Sequence, residues 1–401
     1  MATISQALTT GVKQIINDSS SIAYAENANL TLDYKTYNGY KLLKNWLRVK
    51  GVVRIELPNT TSVERDIEII YKSDYIYRLL QNFVFKLNTN IEVRNLVNMA
   101  FYRFYEIMEN IGNKSLENIP TKVKMPPQES TLNIPFEFFI PQWFIMPDMI
   151  NSTQTFIYTE LYSSIQSTFT AVPYANIIKE VRVDNAINTT SKIFIPNGNI
   201  DSVSCYWIME NGYLEGGDVN EIMAKMGALF KVAEKTQAFT SSGANQYIRL
   251  MPTTQLILKD LVIVCRDSET GQRVDNIMTR IEIRNGDRPL LNVEPNIIRQ
   301  QMIDKYNLSW EMFNEKDDKE KDKQGCLYGV LRVDTNYFGD LENALLATGN
   351  WNEPYLYFDL DREKMEALQG SLLVEIYLSS VEVPSVLQSL ANSKVRNYNG
   401  S

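Results

Sequence analysis

Residues 132–147 read LNIPFEFFIPQWFIMP, a run dominated by large apolar and aromatic side chains and interrupted by Pro135, Pro141 and Pro147. Leu132, Ile134, Phe136, Phe138 and Ile140 share one parity, and Asn133, Pro135, Glu137, Phe139 and Pro141 share the other. Period-two alternation of this kind marks a strand with one buried face. Proline supplies no N–H to a ladder, so a strand that carries two of them in phase belongs at the edge of a sheet, where it resists open-ended pairing. Phe139 and Trp143 have the outward parity. With Pro135 and Pro141 they form a candidate subunit interface. The same pattern also fits a strand covered by the protein's own loops.

The alternation extends over most of the chain. Val49, Gly51, Val53, Ile55 and Leu57 face one way, against Lys50, Arg54 and Glu56. Ile67, Ile69 and Tyr71 repeat the pattern, as do Phe83, Phe85 and Leu87. Val93, Val97, Phe101, Phe104 and Met108 are spaced three or four apart and predict an amphipathic helix over about 92–109. Downstream, QLILKDLVIVCR (255–266), a turn at 267–271 and an alternating segment through Ile277, Thr279, Ile281 and Ile283 precede a helix from Glu294-Pro295, with proline in its first turn. Strand, strand, turn and helix therefore occur twice, near 46–109 and near 255–313. The last third alternates again: LYGVLRVD (327–334), a short helix ending at Gly349, EPYLYFDLD with Leu356, Phe358 and Leu360 inward, and Leu372, Val374, Ile376 and Leu378 inward. The run EKDDKEKDK (315–323) reads as a solvated loop, and 216–244 reads as a linker between halves. The fold class is all-β, two tandem antiparallel β-sandwiches with a few short helices.

Composition narrows the function. The chain has 401 residues, a net charge of −8 and no histidine. The acidic balance and the absence of a basic arm argue against direct nucleic-acid binding. Lack of histidine removes the usual Ser-His-Asp and Cys-His machinery and most zinc sites. There is no phosphate loop and no GxGxxG after a strand, so no cofactor or metal is expected. Two-acid glycoside hydrolysis stays open, although no carboxylate pair stands out. Cys205, Cys265 and Cys326 are far apart and read as small buried hydrophobes in a reducing compartment. MATISQALTTGVKQ lacks a secretory apolar core. In ISQALTTGVKQIIND, Ile4, Leu8, Val12 and Ile15 make one apolar face at helical spacing, read as contacts with a neighbour or lipid or as packing beneath the first sandwich.

The runs WLRVKGVVRIELP, DIEIIY, FVFKLN, LNIPFEFFIP and SVSCYWIMENGY, followed by QLILKDLVIV, TRIEIR and the LYGVLRVD–EPYLYFDLD–GSLLVEIYLSSVEV series, resemble the plan of double jelly-roll major capsid proteins of the tectivirus and adenovirus-hexon lineage. The resemblance covers roughly 40–385 and is one of pattern and length, since the family has no diagnostic motif. It implies an N-terminal arm (1–40), a first roll (41–215), a linker (216–244), a second roll (245–385) and a tail (386–401). It also implies a homotrimer tiling an icosahedral virion shell, assembled in the host cytoplasm, without catalytic activity. Its partners would be its own copies, neighbouring trimers, minor capsid or penton proteins and, in shells that enclose one, an internal lipid membrane. The N-terminal helix would lie on the inner face. Competing readings are a carbohydrate-binding or carbohydrate-hydrolysing sandwich, with outward Tyr355 and Tyr357 beside Asp359 and Asp361, and a phage receptor-binding or tail component.

Overall fold

A computed structural model describes residues 11–17, 19–37, 39–108, 121–145, 155–209, 229–250, 256–314, 325–334, 346–347 and 354–382. The first half contains β1 (Gly11–Asn17), β2 (Ile22–Ala23), β3 (Asn29–Tyr34), β4 (Tyr40–Glu56), β5 (Arg65–Tyr71), β6 (Leu80–Leu87) and β7 (Ile91–Asn98). After helix α1 (Ala100–Met108) come β8 (Lys122–Met125), β9 (Thr131–Trp143), β10 (Ile157–Tyr158), β11 (Ile165–Ala171), β12 (Ile178–Val183), β13 (Ala186–Ile187) and β14 (Lys192–Met209). The second half contains β15 (Leu229–Phe239), β16 (Gly243–Arg249), β17 (Leu256–Asp267), β18 (Met278–Asn285), β19 (Arg288–Val293), helix α2 (Pro295–Tyr306) and β20 (Val330–Asp334). It closes with β21 (Leu346–Ala347), β22 (Pro354–Leu360), helix α3 (Arg362–Glu366) and β23 (Leu372–Glu382).

In the first sandwich, β4 is paired along its length with β14 on one side and with β9 on the other. Its odd residues Leu47, Val49, Val53 and Ile55 enter the core. Gly51 is required here. A Cβ at this position would lie 2.5 Å from the Asn197 carbonyl oxygen and 3.3 Å from the Phe136 ring, where β14 bulges between Phe194 and Asn197. Phe136, directly opposite Gly51, fills the gap the glycine leaves. A smaller separate sheet, β13-β12-β5-β8, completes this half, and β7-β6-β11-β3 forms the facing layer. Across the core Phe85 meets Phe144 at 5.0 Å, and Phe136 meets Tyr174 at 6.2 Å.

The second sandwich faces β16-β22-β18-β19 with β20-β17-β23-β15. Phe239 of β15 meets Phe358 of β22 edge-on at 5.1 Å. On β22 the expected alternation holds, with Leu356, Phe358 and Leu360 buried and Tyr355, Tyr357 and Asp359 half-buried on the other side. On β23 both faces are covered: Leu372, Val374 and Ile376 line the sandwich, while Glu375, Tyr377 and Ser379 are buried on the other side, Tyr377 against Phe101 of α1.

The two sandwiches share one sheet. Strand β15 pairs with β7 in parallel through Val232–Arg94 and Ala233–Asn95, so a nine-stranded sheet runs through both halves.

Several expectations are corrected. The helix read over 92–109 is strand β7 followed by α1 from Ala100, and Val97 is exposed because a strand sends it away from the core. Asn98 makes the break, its side-chain oxygen accepting the Ala100 N–H at 2.9 Å. The segment 216–244 is not linker throughout: β15 begins at Leu229 and β16 at Gly243. The described residues of the expected arm (1–40), from Gly11 on, are not separate, because β1, β2 and β3 pair within the first sandwich; residues 1–10 lie outside the described residues. A hairpin strand, β19, separates β18 from α2, turning at Gly286 with φ of 58°. Leu346–Ala347 pairs with β17 as strand rather than closing a helix; the rest of that expected helix, and the charged run 315–323, lie outside the described residues.

Candidate assembly surfaces and the junction between the sandwiches

Among the described residues β9 pairs only with β4, and β10 meets β4 beyond the end of β9, so β9 is an edge strand. The ladder continues past Pro135 (opposite Val52) and Pro141 (opposite Trp46). The missing donors therefore lie on the free edge. Phe136, Phe138 and Ile140 are buried, as their parity requires. On the other face Pro135 is exposed and Phe139 and Trp143 are half-buried, but Pro141 is buried, which corrects its expected exposure. An open groove of about 670 Å³ runs between Lys50, Val52, Pro135, Glu137 and Phe139, with Gly51 and Phe136 at its floor.

At the end of this strand Lys44 lies over the rings of Trp143 (3.5 Å) and Trp46 (4.5 Å). Sequence reasoning passed over Lys44 because a lone lysine on an outward face is normally solvated. Its partner, Glu106 of α1, is buried and accepts from Tyr77 Oη at 3.5 Å. Burial pushes Glu106 up to about 7 against the pull of Lys44 and the hydroxyl and indole around it, and burial likewise lowers Lys44 to about 8. A carboxyl raised in the folded state keeps its proton where the unfolded chain has lost it, so stability declines as pH rises between the two values. The chain has no histidine to titrate in this window, and buried Glu234, pushed up to about 8, adds to the same decline. Unfolding free energy is therefore expected to fall from pH 5 to 7 in urea titrations, and Glu106→Gln is expected to lessen that slope while the Glu234 contribution remains.

Strand β1 replaces the expected apolar helix face at Val12 and Ile15. It pairs antiparallel with β14, Val12 opposite Ile208 and Ile15 opposite Cys205, so the segment is extended and helical spacing does not apply. Ile15 is 66% exposed. Ile4 and Leu8 lie outside the described residues. On the second sandwich Tyr247, Tyr355 and Tyr357 form an outward cluster with centroids 5.6–5.9 Å apart, and Arg284 lies over Tyr357 at 4.7 Å. Asp359 is taken by Arg280 and the Asn245 N–H, and Asp361 caps α3 through the Lys364 N–H.

The junction between the sandwiches is the most heavily built polar site. Asp74, in the left-handed region at φ 58°, is fully buried and accepts from Arg266 Nη2 at 2.6 Å and Arg103 Nη1 at 2.9 Å, with Arg273 Nε at 3.5 Å. Arg266 Nε in turn lies 3.0 Å from both oxygens of Glu375. Burial alone would raise the Asp74 carboxyl, but Arg273, Arg266 and Arg103 outweigh it and hold it well below the usual carboxylate range. Asp74 and Arg103 come from the first sandwich, Arg266, Arg273 and Glu375 from the second. Nearby, Glu234 of β15 accepts the Val97 and Asn98 N–H groups, and Ser73 Oγ donates to Gln272 at 2.8 Å. Helix α1 fills the apolar part: Phe101 lies 5.6 Å from Tyr377, and Tyr105 lies 6.0 Å from Phe230. Two layered sandwiches side by side, joined by one sheet and fastened by buried charge, define the architecture.

The fold is the double jelly roll of viral major capsid proteins. The major capsid protein of Sulfolobus turreted icosahedral virus superposes with a TM-score of 0.58 over 94% of this chain and 98% of its own, at 14% identity. The major capsid protein P2 of bacteriophage PM2 gives 0.54 at 9% identity, covering 93% and 98%. The Faustovirus major capsid protein gives 0.55 at 9% identity, covering 92% and 90%. No family model and no curated protein sequence matches the chain. Both jelly rolls are thus present at nearly full length, at residue identities of 14% or less.

Proposed function

We propose that the chain is a viral major capsid protein, a non-catalytic subunit that forms homotrimers whose six jelly rolls make one pseudo-hexagonal tile of the virion shell. The observation that carries this reading is the pair of rolls fixed side by side by a shared sheet and a buried ionic junction. Such a subunit is a rigid plate, and a plate with two equivalent-looking halves gives sixfold-like packing from a threefold assembly. The blocked edge of β9, with Phe139 half-buried beside the groove, supplies a contact that ends rather than propagates. Neighbouring trimers, minor capsid or penton proteins and an enclosed membrane are the further partners of this reading.

Light scattering of the purified protein should give a particle of three times 46.1 kDa; a monodisperse monomer at micromolar concentration overturns the proposal. In this reading exposed Ile15 meets a neighbour or lipid. Ile15→Asp is then expected to change unfolding free energy by less than about 0.5 kcal/mol, as for other surface sites, while reducing shell assembly seen by electron microscopy. A large loss of stability would show that β1 serves only its own roll.

A further inference from the structure

We infer that the junction between the two jelly rolls holds a small inorganic anion, bound between Arg78 and Arg266. Four guanidinium groups converge there, from Arg78, Arg103, Arg266 and Arg273, and the carboxylates among them are Asp74 and Glu375. A third acid, Glu234, adjoins Glu375; burial and that neighbour push it up to about 8, so it keeps its proton at neutral pH. The junction therefore carries more positive than negative charge in a place where Arg266, Arg273, Asp74 and Glu375 are almost wholly removed from solvent. Buried charge of one sign is costly unless a counter-charge accompanies it.

The hydrogen-bond inventory points to the same spot. Arg266 commits Nε to Glu375 and Nη2 to Asp74, and its Nη1 is buried with no partner among the described residues. Arg78 Nη1 is also buried and without a partner. The two side chains meet at one turn: Arg78 ends the turn Tyr75–Arg78 that begins at Asp74, and Arg266 Nη2 holds Asp74 at 2.6 Å; burial and the Arg266 charge both lower the Arg78 pKa. Beside them, in the turn that follows β17, a Cβ added to Gly271 (φ 67°) would stand 4.0 Å from Arg78 Nη1 and 3.2 Å from the Lys72 side chain. Two unsatisfied N–H donors from adjacent guanidinium groups match a halide or one oxygen of a phosphate or sulfate. Arg78 is half-buried. The inference concerns one subunit and does not depend on the capsid reading.

Thermal unfolding of the full chain at constant ionic strength tests it, with gluconate replaced stepwise by bromide in one arm and by phosphate in the other. An anion that binds only the folded state raises the melting temperature in proportion to the logarithm of its concentration once the site is saturating. The wild type is expected to show that rise, the phosphate arm separating an oxyanion preference from a halide one, and Arg78→Gln is expected to lose it. Crystals soaked in bromide should show an anomalous peak within hydrogen-bond reach of Arg78 and Arg266, an outcome that requires no variant to fold. The absence of a peak, together with equal anion dependence in wild type and Arg78→Gln, overturns the inference.

Discussion

Asp74→Asn is expected to lower the unfolding free energy by about 3–5 kcal/mol, the usual loss when one member of a buried ion pair is removed and its partners remain. Asparagine keeps the shape and tolerates the left-handed backbone at this position, so the change isolates charge. Arg266 and Arg273 would be left facing Arg103 without the carboxylate that joins all three. Urea unfolding followed by tryptophan fluorescence measures the effect, and a loss under about 1 kcal/mol would mean that solvent already screens the junction. The sign with pH follows from the depressed carboxyl. Its contribution is fully present above the unfolded aspartate value of about 4 and disappears only as pH falls through the lower folded value. The junction is thus expected to remain locked in moderately acidic solution.

The second large effect concerns the two phenylalanines of β9. Phe136 is 5% exposed and packed between Gly51, Phe138 and Tyr174. Phe136→Ala is expected to remove about 3–5 kcal/mol by leaving a cavity that the long β4 ladder cannot collapse to fill. Phe139 faces the other way beside the groove, and Phe139→Ala is expected to spare the isolated fold but weaken association by about 1–3 kcal/mol, as for an aromatic anchor. Thermal unfolding reports the first and dilution-dependent dissociation the second. Equal losses of fold stability, with dissociation unchanged, would refute the division of labour between the faces.

What could be read in advance was whatever one strand decides by itself. Alternation placed Phe136, Phe138, Leu356, Phe358 and Val374 correctly, because a half-buried strand writes its environment into every second residue. The edge position of β9 was legible because proline states where a donor is missing. The failures share one cause, that burial came from distant parts of the chain. Val93 and Val97 imitate a helical stripe, and only the pairing with β6 and β15 shows that Ile91–Asn98 is extended. Glu375 and Tyr377 sit on the face an isolated hairpin would turn to water, and they are buried because Arg266 reaches Glu375 and α1, from far earlier in the chain, covers Tyr377. Asp74, Arg266 and Glu375 carried no sequence signal, since each is an ordinary charge until the rolls meet.

The sheet that β15 adds to β7 also sets an order of events during synthesis. By the time Met209 has been made, every strand of the first roll exists and β4 can find β14. Strand β7, however, still has a bare flank, and the aromatic side of α1 has nothing to lie against until Phe230 and then Tyr377 emerge. A ribosome-bound intermediate at that stage presents unpaired backbone next to Phe101, Phe104 and Tyr105, the combination that recruits chaperones or other nascent copies. The two rolls are therefore one cooperative unit in time as well as in space, and a fragment stopped near residue 215 would be a client for rescue rather than a free-standing domain.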